Sequence, residues 1–368
     1  MRILMFGGFC EYQAHLANAL SRKNEVMLFL PTREMPMSIV GLVDEEVKLT
    51  LMKTDRSPHD PRAIVTLKNA LQSIWRFRPD VAHMQLGGSS LDLVFLPILK
   101  RYPLVTTFHD VTLHLGEGSR WGEFVRSVVR KSADEIIVHG EFLKNEVMRI
   151  YGVRGQRVHS VPMGDHRFEK YKGLSIDSDE DEGYALFFGR ILRYKGLEYL
   201  IKAEPMISKR ISKAKIVIAG KCEDFGEYHA LIGNRSDKFT VINRWISDDE
   251  ASQLFRKSGV VVLPYIEASQ SGVVLDAYGF GKPVIVTNVG SLSEVVEEGR
   301  TGFIVPARDP ESLASAVAVL LADKRLRKEM GMNGFRKLTA ELSWDSIASK
   351  TLEVYEKATR KSHSSGKT

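Results

Sequence analysis

The chain opens with a short apolar run, Arg2-Ile3-Leu4-Met5-Phe6, stopped by Gly7-Gly8 and followed by a helix-like amphipathic segment from Tyr12 to Arg22. A second run, Glu25 to Leu30, is halted by Pro31. Further strand patterns lie at Val81 to Met84, Leu104 to Phe108, Glu135 to Val138 and Arg157 to Val161, with helical periodicity between several of them, notably Pro61 to Phe77 and Gly122 to Ser132. Continuous apolar runs alternating with amphipathic helices predict parallel βαβ units and a sheet covered on both faces.

The same pattern restarts after residue 180. Tyr184 to Phe188 ends at Gly189, a helix is predicted from Gly196 to Pro205, and strands follow at Lys215 to Ala219, Thr240 to Ile242, Val260 to Leu263, Val284 to Val286 and Gly302 to Val305. The pieces MFGGF and FFGRI hold equivalent places, with Gly7 and Gly189 as counterparts. The expectation is an α/β chain of two doubly wound domains. Residues 1–165 form the first and 184–343 the second, joined by a polar linker at 166–183, and 344–368 make a C-terminal helix and tail. The linker carries the acidic run Asp177 to Glu182, which reads as solvated surface rather than a metal site. Two such domains place a ligand cleft at the carboxyl ends of their strands.

Composition narrows the classes. Of 368 residues, 43% are hydrophobic and 27% charged, enough to build real cores and too apolar for a disordered chain. The most apolar stretch, Leu93 to Leu99, is far short of the roughly 20 residues that span a bilayer. Two distant cysteines, Cys10 and Cys222, exclude a disulfide scaffold or zinc site, and with no signal-peptide pattern the expected location is cytoplasmic. The net charge of +6 divides evenly about Asp165, so no basic tail marks a nucleic-acid binder.

Candidate chemistry sits at the turns after strands. Gly189-Arg190-Ile191-Leu192-Arg193-Tyr194-Lys195-Gly196 offers a guanidinium fork and an ammonium that together can neutralise a diphosphate; Arg193 is the weaker participant. In Pro264-Tyr265-Ile266-Glu267-Ala268-Ser269-Gln270-Ser271-Gly272-Val273, a small polar loop leads to a helix start near Ser271, where unpaired backbone N–H groups attract phosphate. Asp276, in that helix, and Glu267 can accept hydroxyl hydrogen bonds from sugars; an N-capped core helix with a surface glutamate is the plainer alternative. His109-Asp110 follows the strand Leu104 to Phe108, where a histidine is more often a satisfied structural residue than a catalytic one. His83 could line an acceptor side, His15 is a weaker candidate, and His114, His139 and His166 carry no clear signal.

Taken in order, GRILRYKG and LPYIEASQSGVVLDAYGFGKPVIVTNVGSLSEVVEEGRTGFIV resemble the family-4 retaining glycosyltransferases of the GT-B fold. MRILMFGGF, VTTFHD, ADEIIVHGEFLKNEV and HSVPMGD fall in that family's order, so the resemblance runs over roughly residues 2 to 360. It implies that Arg190 and Lys195 grip the donor diphosphate, that Ser271, Gly272 and Val273 meet its phosphate and sugar, and that Gly8 lies near the diphosphate. Asp276 stands where the family's E-x7-E pattern has its second glutamate, which holds the ribose. The first glutamate's position is Ala268, with Glu267 one residue early, a spacing of x8 to Asp276 that departs from the family pattern; Ser269 or Gln270 could make the contact to the sugar hydroxyls in its place. His109 becomes the nearest thing to a catalytic side chain. The resemblance further implies front-face attack assisted by the leaving phosphate, with catalysis by positioning and charge stabilisation and with no cofactor or metal ion required.

The expected partners are a nucleotide-sugar donor and a sugar or lipid-linked acceptor. Residues 119–131 are amphipathic, with four positive residues, one negative, and Trp121 and Phe124. They fit an ordinary surface helix or, less commonly, a face that rests on an anionic membrane. Alternatives that keep the fold are a catalytically decayed nucleotide-sugar-binding partner, motivated by the altered E-x7-E region, and a GT-B epimerase or phosphorylase. A nicotinamide oxidoreductase is disfavoured, because neither first strand is followed by G-x-G-x-x-G.

Overall fold

The computed structural model describes residues 1–31, 37–52, 61–86, 90–111, 120–165 and 183–364. Ser119, His114, His166 and the acidic run 177–182 lie outside the described residues. The chain forms two compact units, Met1–Met163 with Ser343–Thr368, and Gly164–Leu342.

The first unit is built on strands β1 (Arg2–Gly7), β2 (Glu25–Pro31), β3 (Lys48–Met52), β4 (Val81–Gln85), β5 (Leu104–Phe108), β6 (Glu135–Val138) and β7 (Val158–Ser160), all parallel, in the order β3-β2-β1-β4-β5-β6-β7. Its helices are α1 (Cys10–Ser21), α2 (Pro61–Phe77), α3 (Ser90–Leu99), α4 (Arg120–Ser132) and α5 (Glu141–Tyr151). Along β1, Leu4 and Phe6 enter one core with Phe29, Met84 and Phe95, while Ile3 and Met5 enter another with Leu16, Leu20 and Tyr355. A period of two with both faces buried is what a near-continuous apolar strand requires.

The second unit repeats the plan with β8 (Tyr184–Phe188), β9 (Ile216–Ala219), β10 (Phe239–Ile242), β11 (Ser258–Leu263), β12 (Val284–Thr287) and β13 (Gly302–Val305), ordered β10-β9-β8-β11-β12-β13. Its helices are α6 (Leu197–Arg210), α7 (Gly226–Ile232), α8 (Asp248–Lys257), α9 (Gly272–Gly279), α10 (Leu292–Val295), α11 (Pro310–Ala322) and α12 (Lys324–Ala340). The two-domain α/β reading holds, and each sheet reverses its strand order beside its first strand, at β1/β4 and β8/β11.

Three expectations change. The final helix α13 (Trp344–Ser364) belongs to the first unit, burying Ile347, Val354 and Tyr355 with β1 and α1 residues, instead of standing apart after the second. Helix α6 does not stop at Pro205 but runs to Arg210 with the proline inside. Proline denies the Ile201 carbonyl its helical donor; the Arg235 guanidinium supplies one at 3.2 Å and also pairs with the buried Glu204 at 2.8 Å. Strand β4 runs one residue past the expected Met84, to Gln85, and the edge strand β3 has no counterpart in the sequence reading.

Candidate active site

In the second unit the predicted diphosphate residues gather at the β8/β11 switch point. Gly189, at φ +99°, directly follows β8, and a Cβ there would lie 3.1 Å from Lys195 Nζ and 3.9 Å from Val273 Cγ2. The turn that carries Lys195 is tied to the loop after β11, since the Ile266 N–H donates to the Tyr194 carbonyl at 2.8 Å. Lys195 is therefore buried, at 9% exposure, with Nζ 5.5 Å from the centre of the Tyr265 ring. Burial pushes the Tyr265 phenol up to about 12, so the ring stays neutral and offers its π face to the ammonium.

Helix α9 begins at Gly272 with Ser271 as its cap residue, but the Ser271 side chain does not cap it. Its Oγ sits 3.4 Å from the Tyr265 hydroxyl instead, against the N-capped alternative. First-turn N–H groups have no partner within a helix, so this end is suited to an anion. Glu267, Gln270 and Asp276 are partly exposed, while Ala268 and Ser269 are buried and Ser269 accepts from the Ser291 N–H at 3.1 Å. Arg190 is exposed, and Arg193 turns away to Glu227 at 2.9 Å.

His109 and Gly8 lie in the first unit. Gly7 and Gly8 accept from Gln13 Nε2 at 2.8 and 2.7 Å, which fixes the loop after β1. Gly7, at φ +120°, has no room for a Cβ, which would stand 2.3 Å from the Gln85 carbonyl oxygen; it is thus the counterpart of Gly189 in conformation as well as position. Phe9, at φ 53° and 44% exposed, stacks on His109 with ring centroids 3.7 Å apart at 19°. Beneath it His109 is only 4% exposed, with Nε2 2.7 Å from Gln85 Oε1 and Nδ1 3.2 Å from His139 Nε2. His83, 1% exposed, meets Tyr355 and Thr107 at 2.6 and 2.7 Å, a structural role in place of an acceptor-side one. His15 is buried and stacks on Trp344.

The sequence reading did not name Gln85 and set His139 aside as carrying no clear signal. Their signal was a polar residue closing a buried strand (VAHMQ) and another just after EIIV, the ends of the two strands that flank the one leading into His109.

Two family descriptions match this chain: Glycosyltransferase Family 4 over residues 6–164 and Glycosyl transferases group 1 over residues 182–323. An uncharacterized glycosyltransferase of Methanocaldococcus jannaschii is 30% identical over 241 residues, a match covering 60% of this chain and 59% of that relative. The D-inositol 3-phosphate glycosyltransferase of Pseudarthrobacter chlorophenolicus is 27% identical over 96% of this chain and 90% of its own length. Among solved structures, an Anabaena protein crystallised with UDP and glucose superposes with a TM-score of 0.70 at 16% identity, covering 97% of this chain and all of the other. The two parallel sheets are those of the GT-B fold. The chain belongs to the family 4 (group 1) glycosyltransferases.

Proposed function

We propose that this chain is a retaining glycosyltransferase that moves a sugar from a nucleotide-diphosphate donor to a sugar or lipid-linked acceptor. The observation that carries this reading is the buried Lys195 ammonium beside Gly189 and the Tyr265 ring, with Val273 of the α9 start close to the same glycine. In a low-dielectric site such a charge stabilises the departing diphosphate without reorganising, and the first-turn N–H groups of α9 add a second source of positive potential. Arg190 adds the outer half of the clamp, and Ser271, Gly272 and Val273 complete it. Asp276 holds the ribose and Glu267 or Gln270 the sugar hydroxyls. On the first unit Gly8 approaches the diphosphate, and His109 meets the transferring sugar.

The UDP and glucose bound to the Anabaena protein make a uridine donor the first to test here. Thermal-shift titration with UDP-, GDP- and ADP-sugars should give a saturable rise with one base. Product analysis against sugar and polyprenyl-phosphate acceptors should then give an α- or β-linkage matching the donor. No stabilisation by any nucleotide sugar, or inversion at the anomeric carbon, would reject the reading.

A membrane-bound acceptor is favoured by one specific feature. In α4 Val125 and Val129 are buried, Arg126 donates to the Asp110 carbonyl and Arg130 lies 3.4 Å over the Tyr151 ring, so much of the basic face packs inward. Trp121 and Phe124 nevertheless remain about half exposed, with ring centroids 5.6 Å apart beside the exposed Arg120. We propose this aromatic pair as the peripheral contact. Sedimentation with anionic vesicles should fall at least severalfold in a Trp121→Ser, Phe124→Ser variant, and vesicle binding equal to wild type would reject it. Among the described residues no helix is long and apolar enough to cross a membrane.

A further inference from the structure

His109 is held at the centre of a chain of buried polar groups. His139 Nδ1 faces the Val161 carbonyl at 2.9 Å, and a carbonyl only accepts, so that nitrogen carries a proton. Burial lowers His139 to about 4, leaving its Nε2 a lone pair that accepts from His109 Nδ1–H at 3.2 Å. One tautomer of His109 is thereby fixed from the His139 side. On the other side the Gln85 amide bridges two histidines, with Oε1 2.7 Å from His109 Nε2 and Nε2 3.3 Å from His83 Nε2. His83, lowered to about 3 by burial, is neutral and holds the Tyr355 hydroxyl at 2.6 Å through Nδ1.

Proton counting along this chain gives two closed arrangements. With Gln85 Oε1 toward His109, the ring must donate from Nε2 as well as Nδ1, so His109 is an imidazolium; the Gln85 N–H then donates to His83 Nε2, and His83 Nδ1–H to the Tyr355 oxygen. With the amide turned over, Gln85 N–H donates to an unprotonated His109 Nε2, His83 carries its single proton on Nε2, and Tyr355 O–H donates to His83 Nδ1. The arrangements differ by one proton, which passes from His109 Nε2 to water, and by the tautomer of His83, whose single proton moves from Nδ1 to Nε2 by exchange with water. Thr107 Oγ1, 2.7 Å from His83 Nε2, donates to that nitrogen in the first arrangement and accepts from it in the second. In neither is a buried ring nitrogen left without a partner, an outcome that is unfavourable for a desolvated polar group.

We propose that Gln85 and His139 are positioning residues that let His109 exchange one proton at Nε2 while it stays fully hydrogen-bonded, the Gln85 amide turning as the proton leaves. The groups facing His109 suit this role. Phe9 and Tyr12 cover it with rings, Tyr12 at 5.1 Å edge-on and kept neutral by burial. Asp110, whose carbonyl accepts from Arg126, favours added positive charge on His139. An imidazolium here would oppose the charge of a departing diphosphate, and that consequence rests on the functional reading above; the hydrogen-bond chain does not.

The test is a pH titration of the full-length protein by 1H–15N correlation of its histidine rings, with His109 assigned through His109→Gln. In the wild type, His109 and His139 should both be protonated at Nδ1 near neutral pH, and His109 should titrate while His83 and His139 stay neutral. Gln85→Glu, which can only accept, should raise the His109 midpoint by at least about one pH unit. His139→Leu, which removes an acceptor, should lower it. Opposite displacements are not produced by general loosening. A wild-type His109 lacking the Nδ1 proton overturns the proposal without recourse to any variant, as does a midpoint unmoved in both folded variants. The pH profile of kcat/KM separates the two claims: if the Gln85→Glu midpoint moves and the profile does not follow, the chain stands and the place of His109 beside the sugar falls.

Discussion

The ammonium of Lys195 rests against the bare backbone of Gly189, close enough that a Cβ on the glycine would stand 3.1 Å from Nζ. The two residues are joined by a turn in which Arg190 is exposed and Lys195 buried. Charge-assisted hydrogen bonds contribute about 1.5–3 kcal/mol, or about 10- to 150-fold in rate. Solvent screening weakens exposed charges. Lys195→Ala should therefore lower kcat/KM near the upper end of that range and Arg190→Ala near the lower end. Steady-state kinetics with the preferred donor checks the order, and wild-type values in both would remove the diphosphate clamp.

Gly189→Ala probes the same contact from the other side. The new methyl group would crowd Nζ, and a φ of +99° is costly for any residue with a side chain. The expected result is a KM for the donor raised about tenfold, with a loss of about 1–3 kcal/mol in stability. Measuring KM and denaturant midpoints together distinguishes a displaced ammonium from simple unfolding, because donor affinity should fall even at temperatures where the variant is fully folded.

Much of this architecture was legible because buried parallel strands write themselves as apolar runs. Leu104–Phe108, Glu135–Val138 and Tyr184–Phe188 were read to the residue. The edge strand Lys48–Met52 was not: KLTL alternates polar and apolar positions, but only Met52 is buried and no continuous apolar run marks the segment. Lys195 was found through its turn between strand and helix. Gln85 went unnamed and His139 was set aside because their meaning comes from strands brought side by side across the sheet, 24 and 30 residues from His109 in the chain. The continuation of α6 through Pro205 depended on an arginine 30 positions away, which no local rule sees.

That arginine gives a stability prediction. Arg235→Ala would leave the Glu204 carboxylate, 3% exposed, without its cation and the Ile201 carbonyl without the donor that Pro205 cannot provide. Because Arg235 is itself partly exposed, water can reach part of the gap, and the expected loss is about 1–3 kcal/mol, below the cost of breaking a wholly buried pair. Urea denaturation should report it. Pro205→Ala added to Arg235→Ala should recover part of the loss, because the helix then satisfies Ile201 itself; a double variant no more stable than Arg235→Ala would contradict the account.

Glu135 supplies a pH dependence with a definite sign. Its carboxylate, fully buried at the start of β6, is held by His159 Nε2 at 2.6 Å and by Lys361 of α13. Burial alone would raise its pKa, but the hydrogen bonds from His159 and Lys361, with the charge of Lys361, outweigh burial and hold it below the ordinary 4.5. A carboxylate whose folded value lies below its unfolded one binds fewer protons when folded, so it stabilises the protein fully above about pH 4.5 and progressively less as the pH falls through the folded value. Glu135→Gln removes this contribution at every pH. The wild type should thus exceed the variant by about 1–3 kcal/mol at pH 7, and that margin should shrink between pH 5 and pH 3 as other acid-labile groups weaken both proteins alike. Paired urea titrations at pH 7, 5 and 3.5 measure the margin directly; one that stayed constant, or widened in acid, would mean that the charge on Glu135 does not anchor α13.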